Sequence, residues 1–92
     1  MRSSELTRIS YLINIGAKTE HWLNEVGIYT KEQLQEIGPV ETWKRIKRIH
    51  PEKATDTLLY ILQGALLNVP QSMLSEKVRE ELIAQAYYPA SV

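Results

Sequence analysis

Few side chains in this chain of 92 residues suit bond-breaking chemistry. It carries two histidines, His21 and His50, the single aspartate Asp56, and no cysteine. Without a thiol, disulfides, thiolate metal sites and a cysteine nucleophile are excluded. His21 and Glu25 stand four residues apart, the spacing that makes two side chains neighbours on one helix face. They suit an acid–base pair, half of a metal site, or an ordinary surface contact. His50 precedes Pro51 at an expected helix end, where the helix dipole favours a cation. No nucleotide loop, nucleophile elbow or zinc-ligand spacing is present. These residues predict a protein that is not an enzyme and uses no metal, cofactor or small-molecule substrate.

Binding chemistry is easier to place. The run Asn14-Ile15-Gly16-Ala17-Lys18-Thr19 puts a glycine and a basic residue ahead of an expected helix start. Such a turn lets backbone amides approach one phosphate, and the helix dipole assists. Gly16, Ala17 and Lys18 would supply the amides, and Lys18 would add a charge. The pattern resembles half of a helix-hairpin-helix element, with Asn14 where glycine is usual; asparagine tolerates left-handed backbone better than most residues. The same run serves equally as a tight corner between packed helices.

A second group is Lys44, Arg45 and Arg48, within the basic stretch Lys44, Arg45, Lys47, Arg48 and Lys53, which contains one acidic residue, Glu52. They are expected on the face opposite Trp43, Ile46 and Ile49. Eleven basic and eleven acidic side chains cancel over the whole chain, which argues against a dedicated nucleic-acid binder. The charge is nonetheless polarised. Glu20, Glu25, Glu32, Glu36 and Glu41 face only Lys31 in their stretch of sequence. A basic face suits phosphates, an acidic partner, the acidic face of a second copy, or water alone. Tyr87 and Tyr88 read as core cover or tail, or as a dimer contact.

Helices must position these groups. A first helix is expected after Ser3 or Ser4, with Leu6, Ile9, Leu12 and Ile13 on one face and Gly16 as its stop. A short second helix follows Thr19 and carries Trp22, Leu23 and Val26, with Gly27 as its left-handed end and Ile28 returning onto Leu23. Thr30 and Gln33 have capping-box spacing, and Tyr29 and Leu34 the spacing of a hydrophobic staple, at the start of a third helix. Gly38 ends that helix through its own amide, and Pro39 begins the fourth. Val40, Trp43, Ile46 and Ile49 line its inner face, and Pro51 closes it. The fifth, from about Thr55 to Asn68, is apolar nearly all round and should be central. Gly64 in its middle is expected to admit a neighbouring helix. A last helix from about Ser75 to Tyr87 covers the core with Val78, Leu82, Ile83 and Ala86.

The composition, 43% hydrophobic and 24% charged, is that of a soluble globular protein. A chain of this size forms one core, burying roughly 60–65% of its unfolded surface. The start, Met1-Arg2-Ser3-Ser4-Glu5, lacks the features of a secretory signal, and the greasy run Leu58 to Leu67 is about half the roughly 20 residues that span a bilayer. A cytoplasmic protein without membrane association is predicted.

Three blocks in order resemble the TfoX C-terminal domain family: Leu12 to Ile28, then Tyr29-Thr30-Lys31-Glu32-Gln33-Leu34 with Ile37-Gly38-Pro39-Val40, and Leu58 to Leu66. The likeness covers about residues 8–86 of a single domain spanning 1–92. Full-length members, also called Sxy, regulate competence for DNA uptake in bacteria and join an N-terminal domain to this one. The resemblance therefore implies a stand-alone regulatory binding module. Its glycine turns look like those of helix-hairpin-helix domains and of the C-terminal domain in the RNA polymerase alpha chain, which bind DNA or transcription factors. That fold-level analogy implies DNA or a transcription-related protein as partner, with protein interaction or a homo-oligomer, free of nucleic acid, as the alternative. An all-α fold of five to six helices, with a helix-hairpin-helix-like core, is expected.

Overall fold

The computed structural model describes residues 6–88. Five α-helices form among the described residues: α1 (Ala17–Glu25), α2 (Lys31–Ile37), α3 (Pro39–Ile49), α4 (Asp56–Leu67) and α5 (Glu76–Tyr87). Single 3-10 turns lie at Ile9–Tyr11 and Gln71–Met73. No strand forms among the described residues; Arg8 and Thr30 make an isolated antiparallel bridge. The all-α class expected from the sequence is the observed one.

The stretch before Gly16 departs from expectation. Ser3 and Ser4, its expected caps, lie outside the described residues, and the segment after them holds one 3-10 turn rather than a helix. The Ile9 amide donates to the Tyr29 carbonyl at 2.9 Å and the Lys31 amide to the Thr7 carbonyl at 2.8 Å. Backbone groups that a first helix would have used are thus paired across to the corner before α2. A short isolated helix has a costly nucleus, so this ready-made pairing wins. Ile9 is buried as expected, but Leu6 is 47% exposed.

The left-handed residue of the next turn is Asn14, with φ 75°, while Gly16 is extended, with φ −94° and ψ −176°. Gly16 therefore ends no helix; it is the N-cap of α1, which begins at Ala17 rather than after Thr19. Thr19 lies buried in the first turn of α1.

From here the local signals hold. Gly27 has φ 86°, the Ile28 amide donates to Leu23 at 2.9 Å, and the Gly27 amide to Asn24 at 3.0 Å. These are the two bonds of a Schellman ending, and Leu23 and Ile28 are both wholly buried. The Gln33 amide donates to Thr30 Oγ1 at 3.1 Å, while Gln33 Oε1 accepts from the Thr30 amide at 3.2 Å and the Tyr29 amide at 2.7 Å. Tyr29, expected to staple onto Leu34, is exposed, whereas Ile28 and Leu34 are both wholly buried. Gly38, at φ 92° and ψ 153°, occupies a region essentially confined to glycine. Its amide closes α2 on Leu34 at 2.7 Å, and Pro39 opens α3.

The core gathers on α4, which packs against α2, α3 and α5 and buries Leu58, Leu59, Leu62 and Ala65. Burying one such leucine contributes about 1.5–3 kcal/mol. Trp43 is buried from α3, and its indole N–H donates to the Thr55 carbonyl at 2.9 Å. Ile49, expected to point inward, is 50% exposed because it sits in the final residue of α3, beyond the packed turns. Gly64 does admit a close neighbour, but not a helix. Asn14 Nδ2 donates to the Val69 carbonyl at 3.0 Å and Asn14 Oδ1 accepts from the Gln71 amide at 3.3 Å, filling that space. Ser75 caps α5 through the Val78 amide at 3.1 Å, and Leu82 and Ala86 are buried beneath it. No helix among the described residues is long and apolar enough to cross a membrane.

Candidate functional site

Gly16, Ala17 and Lys18 stand exposed at the start of α1. The first intrahelical bond runs from the Glu20 amide to the Gly16 carbonyl at 2.9 Å. Gly16 has no side chain with which to cap the helix, so the amides of Ala17 and Lys18 find no acceptor among the described residues. The starts of α2, α4 and α5 differ, each being capped by a side-chain oxygen, from Thr30, Thr55 and Ser75. Orphan amides at a helix start attract an anion, and Lys18 adds charge. Glu20, also in the first turn, works against it.

Whereas Asn14 to Thr19 has an α-helix only after it, Val26-Gly27-Ile28, between α1 and α2, has a helix on both sides. Its amides are spent. Val26 and Ile28 donate to Leu23, Gly27 to Asn24, Tyr29 and Thr30 to Gln33, and Lys31 to Thr7. Nothing is left there for a phosphate.

On α3 the cations divide. Lys44 and Arg48 join Lys47 around a groove of about 430 Å³ whose other walls include Trp43, Ala86 and Tyr87. Arg45 turns away and donates from Nε to Glu41 Oε2 at 3.1 Å. Both groups of that pair are about 40% exposed, so it adds little stability. Lys44, Lys47 and Arg48 have no carboxylate partner among the described residues. No hydrogen bond or ion pair among those residues joins them to Gly16, Ala17 or Lys18.

Sequence reasoning counted Lys47 in the basic stretch but left it out of the binding face; its ammonium lies 5.1 Å from the centre of the Trp43 ring. Its spacing of four from Trp43 was the available signal. The Trp43 and Tyr87 rings meet edge to face at 5.3 Å and 66°. The Tyr87 hydroxyl donates to Asp56 Oδ1 at 2.7 Å, and this bond to a carboxylate, with some burial, pushes the phenol up to about 12.

The polar side chains singled out in the sequence also meet. Glu25 Oε1 lies 2.7 Å from His50 Nε2, and Glu25 Oε2 lies 3.3 Å from His21 Nε2. The His50 hydrogen bond, chiefly, holds the Glu25 carboxyl below its ordinary value of 4.5. The His50 ring also lies 5.8 Å from that of Trp22, so the trio ties the end of α3 to α1. Among the described residues no group of three or more His, Cys, Asp or Glu side chains is arranged to hold a metal ion.

Comparison with known proteins agrees with the fold. The family model of the TfoX C-terminal domain matches residues 5–86. The crystal structure of an uncharacterized protein from Listeria monocytogenes, in a triclinic form, is similar at 31% identity and a TM-score of 0.79. The match covers 84% of this chain and 86% of that one. No curated protein matches the chain.

Proposed function

The chain belongs to the TfoX C-terminal domain family, and on that premise we propose that it is a non-enzymatic, cytoplasmic regulatory module that meets DNA phosphates at the start of α1. The observation that carries this reading is the pair of uncapped, exposed amides at Ala17 and Lys18, with Gly16 offering no side chain to obstruct them. One phosphate oxygen would bridge those amides while Lys18 supplies charge. Lys44 and Arg48 would add weaker contacts to the sugar–phosphate backbone, and Arg45, already engaged by Glu41, would add less.

Contacts of this kind position a protein on a duplex without reading its sequence. Their signature is salt. Three or four phosphate contacts give a log–log salt slope of roughly −3 on duplex DNA. Fluorescence anisotropy across a salt series, on the native chain and on Lys18→Glu, tests this: binding at low salt with that slope, weakened in the variant, supports it. No binding at low salt, or equal binding by the variant, rejects it.

A second reading, docking of a protein through helical faces, is favoured by a separate observation. Lys44, Lys47 and Arg48 stand around a shallow, open depression walled by Trp43, Pro51, Ala86 and Tyr87. A transcription-related protein or a second copy of the chain would suit that groove better than a phosphate backbone.

A further inference from the structure

The groove beside Lys44, Lys47 and Arg48 has a counterpart of about 520 Å³ at the opposite end of α3, where Val40 and Glu41 face Glu81, Leu82 and Gln85 of α5. The cationic groove at the end of α3 is closed by Ala86 and Tyr87, the last residues of α5. Residue numbers rise together on the two helices from one groove to the other, so α3 and α5 lie side by side and point the same way. Val40, Lys44 and Lys47 are spaced by four and three, which places them on one half-buried stripe of α3, and each lines a groove that α5 also lines. Both grooves therefore lie along one seam.

That seam is electrically polar. Glu81 marks its start, beside Glu41, whose charge is offset by Arg45, and Lys44, Lys47 and Arg48 mark its end. Glu81 has no cationic partner among the described residues, and neither do the three cations have an anionic one. Val40 and Leu82 line the acidic groove and Trp43 and Tyr87 the cationic one; Trp43 and Leu82 are buried, so Val40 and Tyr87 supply the accessible apolar surface. A two-fold axis across such a seam lays the acidic end of one copy on the cationic end of the other, and does so twice. The chain's net charge of zero leaves no overall repulsion to oppose the pairing. A nucleic acid would use only the cationic half and be repelled by the acidic half; a second copy uses both.

We propose that this protein pairs with a second copy of itself through the α3–α5 seam, antiparallel, with Glu81 of each copy facing Lys44, Lys47 and Arg48 of the other. The proposal rests on the docking reading and deepens it by naming the occupant. Its surface is separate from the start of α1.

Sedimentation equilibrium from micromolar to millimolar protein, at low and high salt, tests it. The native chain is expected to show a monomer–dimer equilibrium that weakens as salt rises. Lys44→Glu with Arg48→Glu, which spares Lys47 on Trp43, and separately Glu81→Lys, should each weaken self-association at least about tenfold by setting like charges opposite. Mixing the two variants should restore a heterodimer, because reversed charges then meet reversed charges. Circular dichroism verifies that each variant keeps its native helix content; should one fail, Lys44→Gln with Arg48→Gln, or Glu81→Gln, replaces it. A native chain that stays monomeric at millimolar concentration overturns the proposal, as do variants that dimerise unchanged or a mixture that stays monomeric. Lys18→Glu must leave the dimer intact, so loss of DNA binding and loss of dimerisation are read separately.

Discussion

A Cβ added to Gly64 would stand 2.6 Å from Asn14 Nδ2 and 2.7 Å from the Val69 carbonyl oxygen. The glycine in the middle of α4 and the left-handed asparagine before α1 are thus two halves of one contact, fifty residues apart in sequence. Gly64→Ala gains about 1 kcal/mol of helix propensity. It should nonetheless lose a net 1–3 kcal/mol, roughly, since the Val69 carbonyl is backbone and cannot swing aside. Asn14→Gly keeps the positive φ but removes both side-chain hydrogen bonds, at about 1 kcal/mol each. Asn14→Ala should be worse than Asn14→Gly by about 1 kcal/mol, because alanine resists the left-handed region. Urea unfolding followed by tryptophan fluorescence ranks the three; a neutral Gly64→Ala would show that the contact is not tight.

Thr42 is fully buried, and its hydroxyl has no hydrogen-bond partner among the described residues. Replacing it with valine removes an unpaired polar group while nearly keeping the shape. Thr42→Val should therefore raise stability by about 1 kcal/mol, visible as a higher thermal midpoint. A lower midpoint would mean that the hydroxyl is satisfied after all.

Glu25 gives an acid-side dependence whose sign follows from the lowered carboxyl value. A group with a folded value below its unfolded one stabilises the fold above the unfolded value. That contribution fades as pH falls through the folded value. The difference in thermal midpoint between the native chain and Glu25→Gln should thus shrink as pH falls below about 4.5. A gap that fails to shrink below about 4.5 would refute the assignment to Glu25.

Tyr87 gives the opposite limb. Its phenol is raised from 10.0 to about 12, first by the bond to Asp56, so its contribution is present below 10 and disappears as pH rises through the higher value. Ultraviolet titration of the tyrosines should show one late-titrating group that Asp56→Asn brings back toward the ordinary range and Tyr87→Phe removes. Titration of all the tyrosines together near 10 would dispose of the Tyr87–Asp56 bond.

Most helix ends were legible in the residues alone. Gly27 with Ile28 on Leu23, Thr30 with Gln33, Gly38 before Pro39, and Ser75 before α5 are each satisfied within a few positions of themselves. Local chemistry of that kind carries its own instruction, so neither the order of α1 to α5 nor the family likeness required any knowledge of what packs on what.

The tertiary structure decided what depends on distant partners. The three- and four-residue spacing of Leu6, Ile9, Leu12 and Ile13 suits a helix, yet Thr7 and Ile9 are claimed by Lys31 and Tyr29, and the chain runs extended beside them. Likewise Arg45 leaves the basic cluster for Glu41, Lys47 joins it on Trp43, and His50 finds Glu25, 25 positions away. Spacing along a helix tells which side chains share a face. Which face meets another segment is settled only when apolar burial brings the helices together, and that choice placed Asn14 against Gly64 and the opposed charges along the α3–α5 seam.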